Sequence, residues 1–139
     1  MYGKESYSLV TQAVILVNQD YEFLLLQLPD GRWQLPGGKL HTKESWSAGV
    51  VRELIEETGL HDIRIVRVLY VDNWHTPTHD YYRAYFLCTT MGKEIYLSPD
   101  HRGYAWISPD ATLEGFEFTH ETVRHHLKRF LTELNAHGE

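Results

Sequence analysis

Apolar and polar positions change rhythm several times along the chain, and each change marks an element. Residues 9–17, LVTQAVILV, are apolar and β-branched and predict a strand. Asn18-Gln19-Asp20 supplies a turn, and residues 21–28, YEFLLLQL, predict a second strand that forms a hairpin with the first. Pro29-Asp30-Gly31 is a further turn, followed by a short extended piece over 32–35 that enters Pro36-Gly37-Gly38. From Glu44 to Thr58 the spacing becomes helical, with Trp46, Val50, Val51, Leu54 and Ile55 on a broad core-directed face. Gly59 suits the left-handed position just past a helix end. Gly49, in mid-helix, costs roughly 1 kcal/mol against alanine, which points to close packing on a strand. Residues 63–72 (IRIVRVLYVD), 80–90 (DYYRAYFLCTT) and 103–107 (GYAWI) predict three more strands. A last amphipathic helix over 119–135 turns Val123, Leu127, Phe130, Leu131 and Leu134 inward. Strands, helix, strands, helix is an α/β pattern with mixed pairing, expected as a single domain over residues 1–139.

The first helix carries chemistry on its other face. Glu53, Glu56 and Glu57 lie at i, i+3 and i+4, so they share one side. Like charges so placed destabilise a bare helix. Arg52 stands one turn before Glu56 and can pair with it, but it cannot neutralise all three. Hard oxygen ligands clustered this way suit Mg²⁺ or Mn²⁺. The paired glycines 37 and 38 allow a backbone carbonyl to reach such an ion. The competing reading is a solvated acidic helix face.

Residues 38–60, GKLHTKESWSAGVVRELIEETGL, decide between the two. They fit G-x5-E-x7-R-E-U-x-E-E-x-G-U, with U apolar, at every defined position: Gly38, Glu44, Arg52, Glu53, Leu54, Glu56, Glu57, Gly59 and Leu60. A chance match to the seven single-residue positions is about 10⁻⁹ per window, so the pattern is not accidental. This segment is the Nudix box, and the chain resembles the Nudix hydrolases of MutT-like type. The resemblance implies a Nudix-type α/β/α sandwich with a mixed sheet. It also implies that Glu53, Glu56 and Glu57 are metal ligands, with Glu53 also a candidate general base. The carbonyl of Gly37 or Gly38 would be a further ligand, and Arg52 would hold the carboxylates in place. Glu44 would support the same arrangement or the start of the helix. Outside the box, Asp100 in LSPDH resembles the family's added acidic ligand, with Glu94 a rival and a plain turn aspartate the alternative.

Candidate substrate contacts are less specific. Lys39 could meet a phosphate or simply be solvated. Trp33, Trp74, Tyr81, Tyr82 and Phe116 could stack on a base or be buried in the core. His75 and His79 flank Pro77 in NWHTPTHD, read as a lid or specificity loop from Asn73 to Asp80.

Composition narrows the partners. With 13 basic and 19 acidic residues the formal charge is −6, which argues against nucleic acid but not against a small nucleotide handled with a cation. The nine histidines form no zinc pattern and read mostly as surface residues. The single cysteine, Cys88, sits in YFLCTT and reads as a core thiol. No apolar run approaches 18 residues, and the opening MYGKESYSLV lacks a signal peptide's form, so a cytoplasmic protein without membrane contact is expected, with a homodimer left open. The expected activity is Mg²⁺-dependent cleavage of a diphosphate linkage in a nucleoside triphosphate or another nucleoside diphosphate derivative. Dinucleoside polyphosphates and ADP-ribose are alternative substrates, the latter hinted at by Pro77. A non-catalytic nucleotide-sensing Nudix domain is the alternative of another class, and the complete carboxylate set argues against it.

Overall fold

The computed structural model describes residues 4–136, so the first residues of the MYGKESYSLV opening lie outside it. In chain order the elements are β1 (Ser8–Val17), β2 (Phe23–Gln27), β3 (Trp33–Gln34), β4 (Gly37–Lys39), α1 (Trp46–Thr58), β5 (Arg64–His75), β6 (Asp80–Thr89), β7 (Gly103–Ile107) and α2 (Glu121–Ala136). Strand β1 is the spine because its two faces are both apolar. Ala13 and Ile15 point to one side, Val14 and Leu16 to the other, and all four are buried. That is why LVTQAVILV reads as a continuous apolar run rather than an alternation.

The seven-stranded sheet runs β3-β2-β1-β6-β5, with β4 added to β1 and β7 to β2. Strands β1 and β6 run parallel over ten paired residues, while β1–β2, β1–β4, β2–β3, β2–β7 and β5–β6 are antiparallel. The sheet is therefore mixed, as expected. Helix α2 covers one face through Val123, Leu127, Phe130 and Leu131 against Ala13, Ile15, Leu25 and Tyr85. Helix α1 covers the other through Val50 and Leu54 against Val14, Leu16, Leu24, Leu26 and Phe86. Each fully buried Leu or Val contributes roughly 1.5–3 kcal/mol, so these two layers anchor both helices to the sheet. The result is the α/β/α sandwich the resemblance implies.

Several expectations change. The first helix begins at Trp46, capped by Ser45, rather than at Glu44. Trp46 is 54% exposed although it stacks on Phe86 of β6, so it is not a core residue, and Val51 and Ile55 are only half-buried. Half of the expected loop from Asn73 to Asp80 is sheet. Asn73, Trp74 and His75 extend β5, Asp80 opens β6, and a tight turn closed by Thr76 N–H to the His79 carbonyl joins them. Cross-strand pairing of Trp74 with Tyr81 overrides the polar composition that read as a loop. Two histidines are not on the surface: His101 and His126 are buried. Cys88 is fully buried and free, and burial pushes its thiol up to about 12, which makes it a core thiol. Among the described residues no helix is long and apolar enough to cross a membrane.

Candidate active site

The site is built where α1 meets β1 and β4. Helix α1 lies close on the sheet at Gly49, where an added Cβ would stand 2.6 Å from both Gln12 Oε1 and Leu40 Cδ1. This docking explains the mid-helix glycine and turns Glu53 and Glu57 inward, toward Gly37 and Gly38. Gly37 has φ +147° and its Cβ would fall 1.9 Å from the Gln12 carbonyl oxygen, so no other residue fits. Its N–H donates to Glu57 Oε1 at 2.6 Å. At Gly38 a Cβ would stand 2.6 Å from both carboxylate oxygens of Glu53. The two glycines therefore let β4 run directly against two of the three box carboxylates.

Arg52 organises the remaining charge. Its Nε and Nη2 donate to Glu44 at 2.6 and 3.0 Å, its Nη2 also meets Glu53 Oε1 at 3.0 Å and the Lys39 carbonyl at 3.1 Å, and its Nη1 reaches Glu56 at 3.3 Å. Glu44 is thus a clamp on Arg52 rather than a helix cap, and its carboxyl is held down at about 2, first by Arg52 and then by the His41 N–H. Burial raises Glu53 above the usual carboxylate range, with Arg52 opposing the rise. Burial raises Glu57 to about 8, opposed by the Gly37 N–H and reinforced by Glu53, Glu56 and Asp100. Glu56 stays largely in solvent.

The sequence spacing anticipates three convergent ligands. In the structure Arg52 draws Glu53 and Glu56 one way and Gly37 holds Glu57 another. Among the described residues no group of three or more His, Cys, Asp or Glu side chains converges on one point. The donors nonetheless fit a hard divalent cation. Glu53 and Glu57 are carboxylates raised first by burial, and the bare Cα of Gly38 leaves both Glu53 oxygens unobstructed from β4. Gly37 contributes its N–H to Glu57, a role the sequence reading did not foresee. Asp100 is an exposed turn residue close enough to raise Glu57. Its neighbour His101 faces the same carboxylate: the buried His101 Nε2 lies 3.7 Å from Glu57 Oε2 and 2.9 Å from Gln34 Nε2. Burial lowers the His101 value, so a neutral ring faces Glu57.

A cleft of about 450 Å³ opens from Gly37, Gly38 and Lys39 across the α2 face of the sheet. Lys39 and Trp74 line it, joined by Arg32, Gln34, Arg83 and His120. Of the other expected contacts, Trp33 packs edge-on against Phe116 beside the α2 core, Tyr81 lies under Trp74, and His75 is exposed outside the cleft lining. Trp33 and Tyr81 are occupied by packing, which is the outcome ring size alone favours. Sequence reading missed the Arg83 cluster, because β5–β6 register and not local spacing pairs Asp72 with Arg83.

Comparison with known proteins follows the same lines. The NUDIX domain family pattern matches residues 8–130. A MutT-like protein of Streptomyces ambofaciens is 31% identical over 106 residues, covering 76% of this chain and 67% of that one. A Caenorhabditis elegans protein named as a nudix hydrolase is 32% identical over 107 residues, covering 73% of this chain, which spans only 28% of that longer relative. The crystal structure of a MutT protein from Methanosarcina mazei Go1 superposes with a TM-score of 0.78 at 24% identity, covering 96% of this chain and 99% of that one.

Proposed function

The chain belongs to the Nudix family, and from that premise we propose that it hydrolyses a diphosphate linkage in a nucleoside triphosphate or another nucleoside diphosphate derivative, with Mg²⁺ or Mn²⁺. The observation that carries this reading is the juxtaposition at β4. Two carboxylates raised by burial stand against two side-chain-free residues, and the same two residues form one end of a nucleotide-sized cleft. Glu53, Glu56 and Glu57 would hold the cation, with a carbonyl of Gly37 or Gly38 and Asp100 as added oxygen donors. Bound there, a divalent ion supplies Lewis-acid polarisation of a phosphoryl oxygen and a more acidic water.

The chain's own residues supply the rest. Arg52, locked by Glu44, fixes Glu53 and Glu56 on one side of the site. Gly37 N–H fixes Glu57, and the neutral His101 ring backs it. Glu53, half-shielded and raised, can accept a proton from an attacking water. Lys39, exposed at the cleft mouth beside Gly38, is placed to meet a phosphate, and Arg32 adds positive charge to the lining. Small nucleoside triphosphates lead as substrates, ahead of dinucleoside polyphosphates and ADP-ribose. A purely sensing domain would have no use for a complete carboxylate set. The test is release of phosphate or pyrophosphate from a nucleotide panel with Mg²⁺, with and without chelator. Turnover of at least one nucleotide that chelator abolishes is expected; binding without turnover across the panel would favour the sensing alternative.

A further inference from the structure

The floor of the cleft holds a buried guanidinium with one end unused. Arg83 is paired across strands with Asp72, donating from Nε to Oδ1 at 3.2 Å and from Nη2 to Oδ2 at 3.0 Å. Its Nη2 also donates to Thr122 Oγ1 at 2.9 Å, which ties it to the start of α2. Its plane is held between aromatic rings, with Trp74 at 4.7 Å and Tyr85 at 4.9 Å from the guanidinium carbon. Asp72 is fixed in turn by the Tyr85 hydroxyl at 3.0 Å and by His126 Nε2 at 3.2 Å. The Arg83 side chain is only 9% exposed, yet among the described residues neither N–H of its Nη1 has a partner, and Arg83 lines the cleft. A rigid fork this well supported, with its free end toward a pocket, is built to donate to something that enters it.

We infer that Arg83 reads the base of the substrate through Nη1, selecting nucleotides whose base carries a carbonyl acceptor (guanine, cytosine or uracil) against adenine. This rests on the nucleotide-hydrolase reading above and deepens it. Position comes first. Lys39 pairs with Thr11 across β4–β1, and Thr11 pairs with Arg83 across β1–β6, so two strand spacings, about 10 Å, separate the phosphate end from Arg83. A nucleotide with its phosphates at Gly38 and Lys39 therefore lays its base, not its phosphates, over Arg83. Charge agrees: Asp72 already neutralises the guanidinium, so the free Nη1 suits a neutral acceptor better than a second phosphate. The rings of Trp74 are covered by Tyr81, stacked at 5.0 Å, and by Arg83 itself, so Trp74 braces the reader rather than offering an open stacking face. Guanine, cytosine and uracil each carry an exocyclic carbonyl oxygen for Nη1, whereas adenine has none and offers only its amino donor and ring nitrogens, so the strong carbonyl contact is lost with it.

Two measurements on the intact protein decide this. In the first, calorimetry measures binding of GMP, CMP, UMP and AMP to the wild type. The three oxo-base nucleotides should bind roughly 10-fold or more tightly than AMP, the range of a specific base contact. The second compares kcat/KM for GTP, CTP, UTP and ATP in wild type and Arg83→Lys, which keeps the charge beside Asp72 but loses the fork. The oxo-base substrates should lose roughly 10-fold or more and ATP little. Equal binding of AMP, or an equal loss on all four substrates, overturns the inference while leaving the hydrolase reading intact. If Arg83→Lys fails to fold, the wild-type binding series alone decides. If no nucleotide is turned over, the hydrolase reading falls, and the monophosphate series still shows whether the cleft distinguishes bases.

Discussion

Replacing Glu57 by glutamine should stabilise the metal-free protein at alkaline pH and abolish its activity. Glu57 is raised from 4.5 to about 8, first by burial, with Glu53, Glu56 and Asp100 adding to it, and its side chain is only 12% exposed. The folded state thus holds the Glu57 proton more tightly than the unfolded chain does. Stability from this group is fully present below pH 4.5 and is lost as pH rises to about 8. The full loss corresponds to at most about 5 kcal/mol, and water entering the open cleft reduces it to an expected 2–4 kcal/mol or so. Glutamine mimics the protonated acid and can still accept from the Gly37 N–H, so Glu57→Gln should match wild type near pH 4.5 and exceed it by that margin at pH 8. For a chain of this length the margin is a rise in Tm of roughly 10 °C. The assay is thermal and urea unfolding in chelator from pH 4.5 to 9. Some slope will remain in the variant, because Glu53 is raised in the same direction. The reasoning is refuted if Glu57→Gln keeps the wild-type slope, or is less stable than wild type at pH 8.

Other perturbations separate support from chemistry. Gly37→Ala puts a Cβ 1.9 Å from a backbone oxygen at φ +147°, so the protein should lose several kcal/mol of stability, roughly 3 or more, in urea unfolding. Gly38→Ala meets only the far end of the Glu53 side chain and no backbone, so the fold should survive in circular dichroism while turnover falls roughly 10-fold or more through displaced carboxylate geometry. Glu44 is held at about 2, so the stability it lends through Arg52 is present above pH 4.5 and lost as pH falls toward 2; Glu44→Gln should flatten acid unfolding in that window. Leu54→Ala, at a fully buried position on α1, should cost roughly 2–5 kcal/mol in the same unfolding assay.

What could be read from sequence was what local spacing determines. The periodicity of 44–58 gives the helix, and i, i+3, i+4 puts the box carboxylates on one side of it. The apolar runs give β1 and β2, and the glycines at 37, 38 and 49 mark close approaches that the structure contains. What could not be read depends on partners distant in sequence. Trp46 looks like a core residue by spacing, yet it stacks on Phe86 from outside the core and stays 54% exposed. The segment 73–80 has loop composition, yet Trp74 on Tyr81 and Asp72 on Arg83 extend the hairpin into it from both ends. His101 and His126 look like surface histidines because nothing nearby in sequence announces Glu57 or Asp72 as their neighbours. The cleft is assembled from β1, β4, β5, β6 and the entry to α2, so its lining shows in the sheet register and not in any one stretch of sequence.

We propose that the β4–α1 junction is a metal-dependent hydrolytic site, and a metal titration of turnover is its sharpest test. Hydrolysis of the best nucleotide found in the panel would be followed in rigorously metal-free wild type and Glu53→Gln as Mg²⁺ or Mn²⁺ is added back. The wild type should be inactive without metal and saturate with it. Folded Glu53→Gln should stay lower by roughly 10²-fold or more even at saturating metal. Full activity in the metal-free wild type, or near-wild-type turnover in Glu53→Gln, would contradict the account.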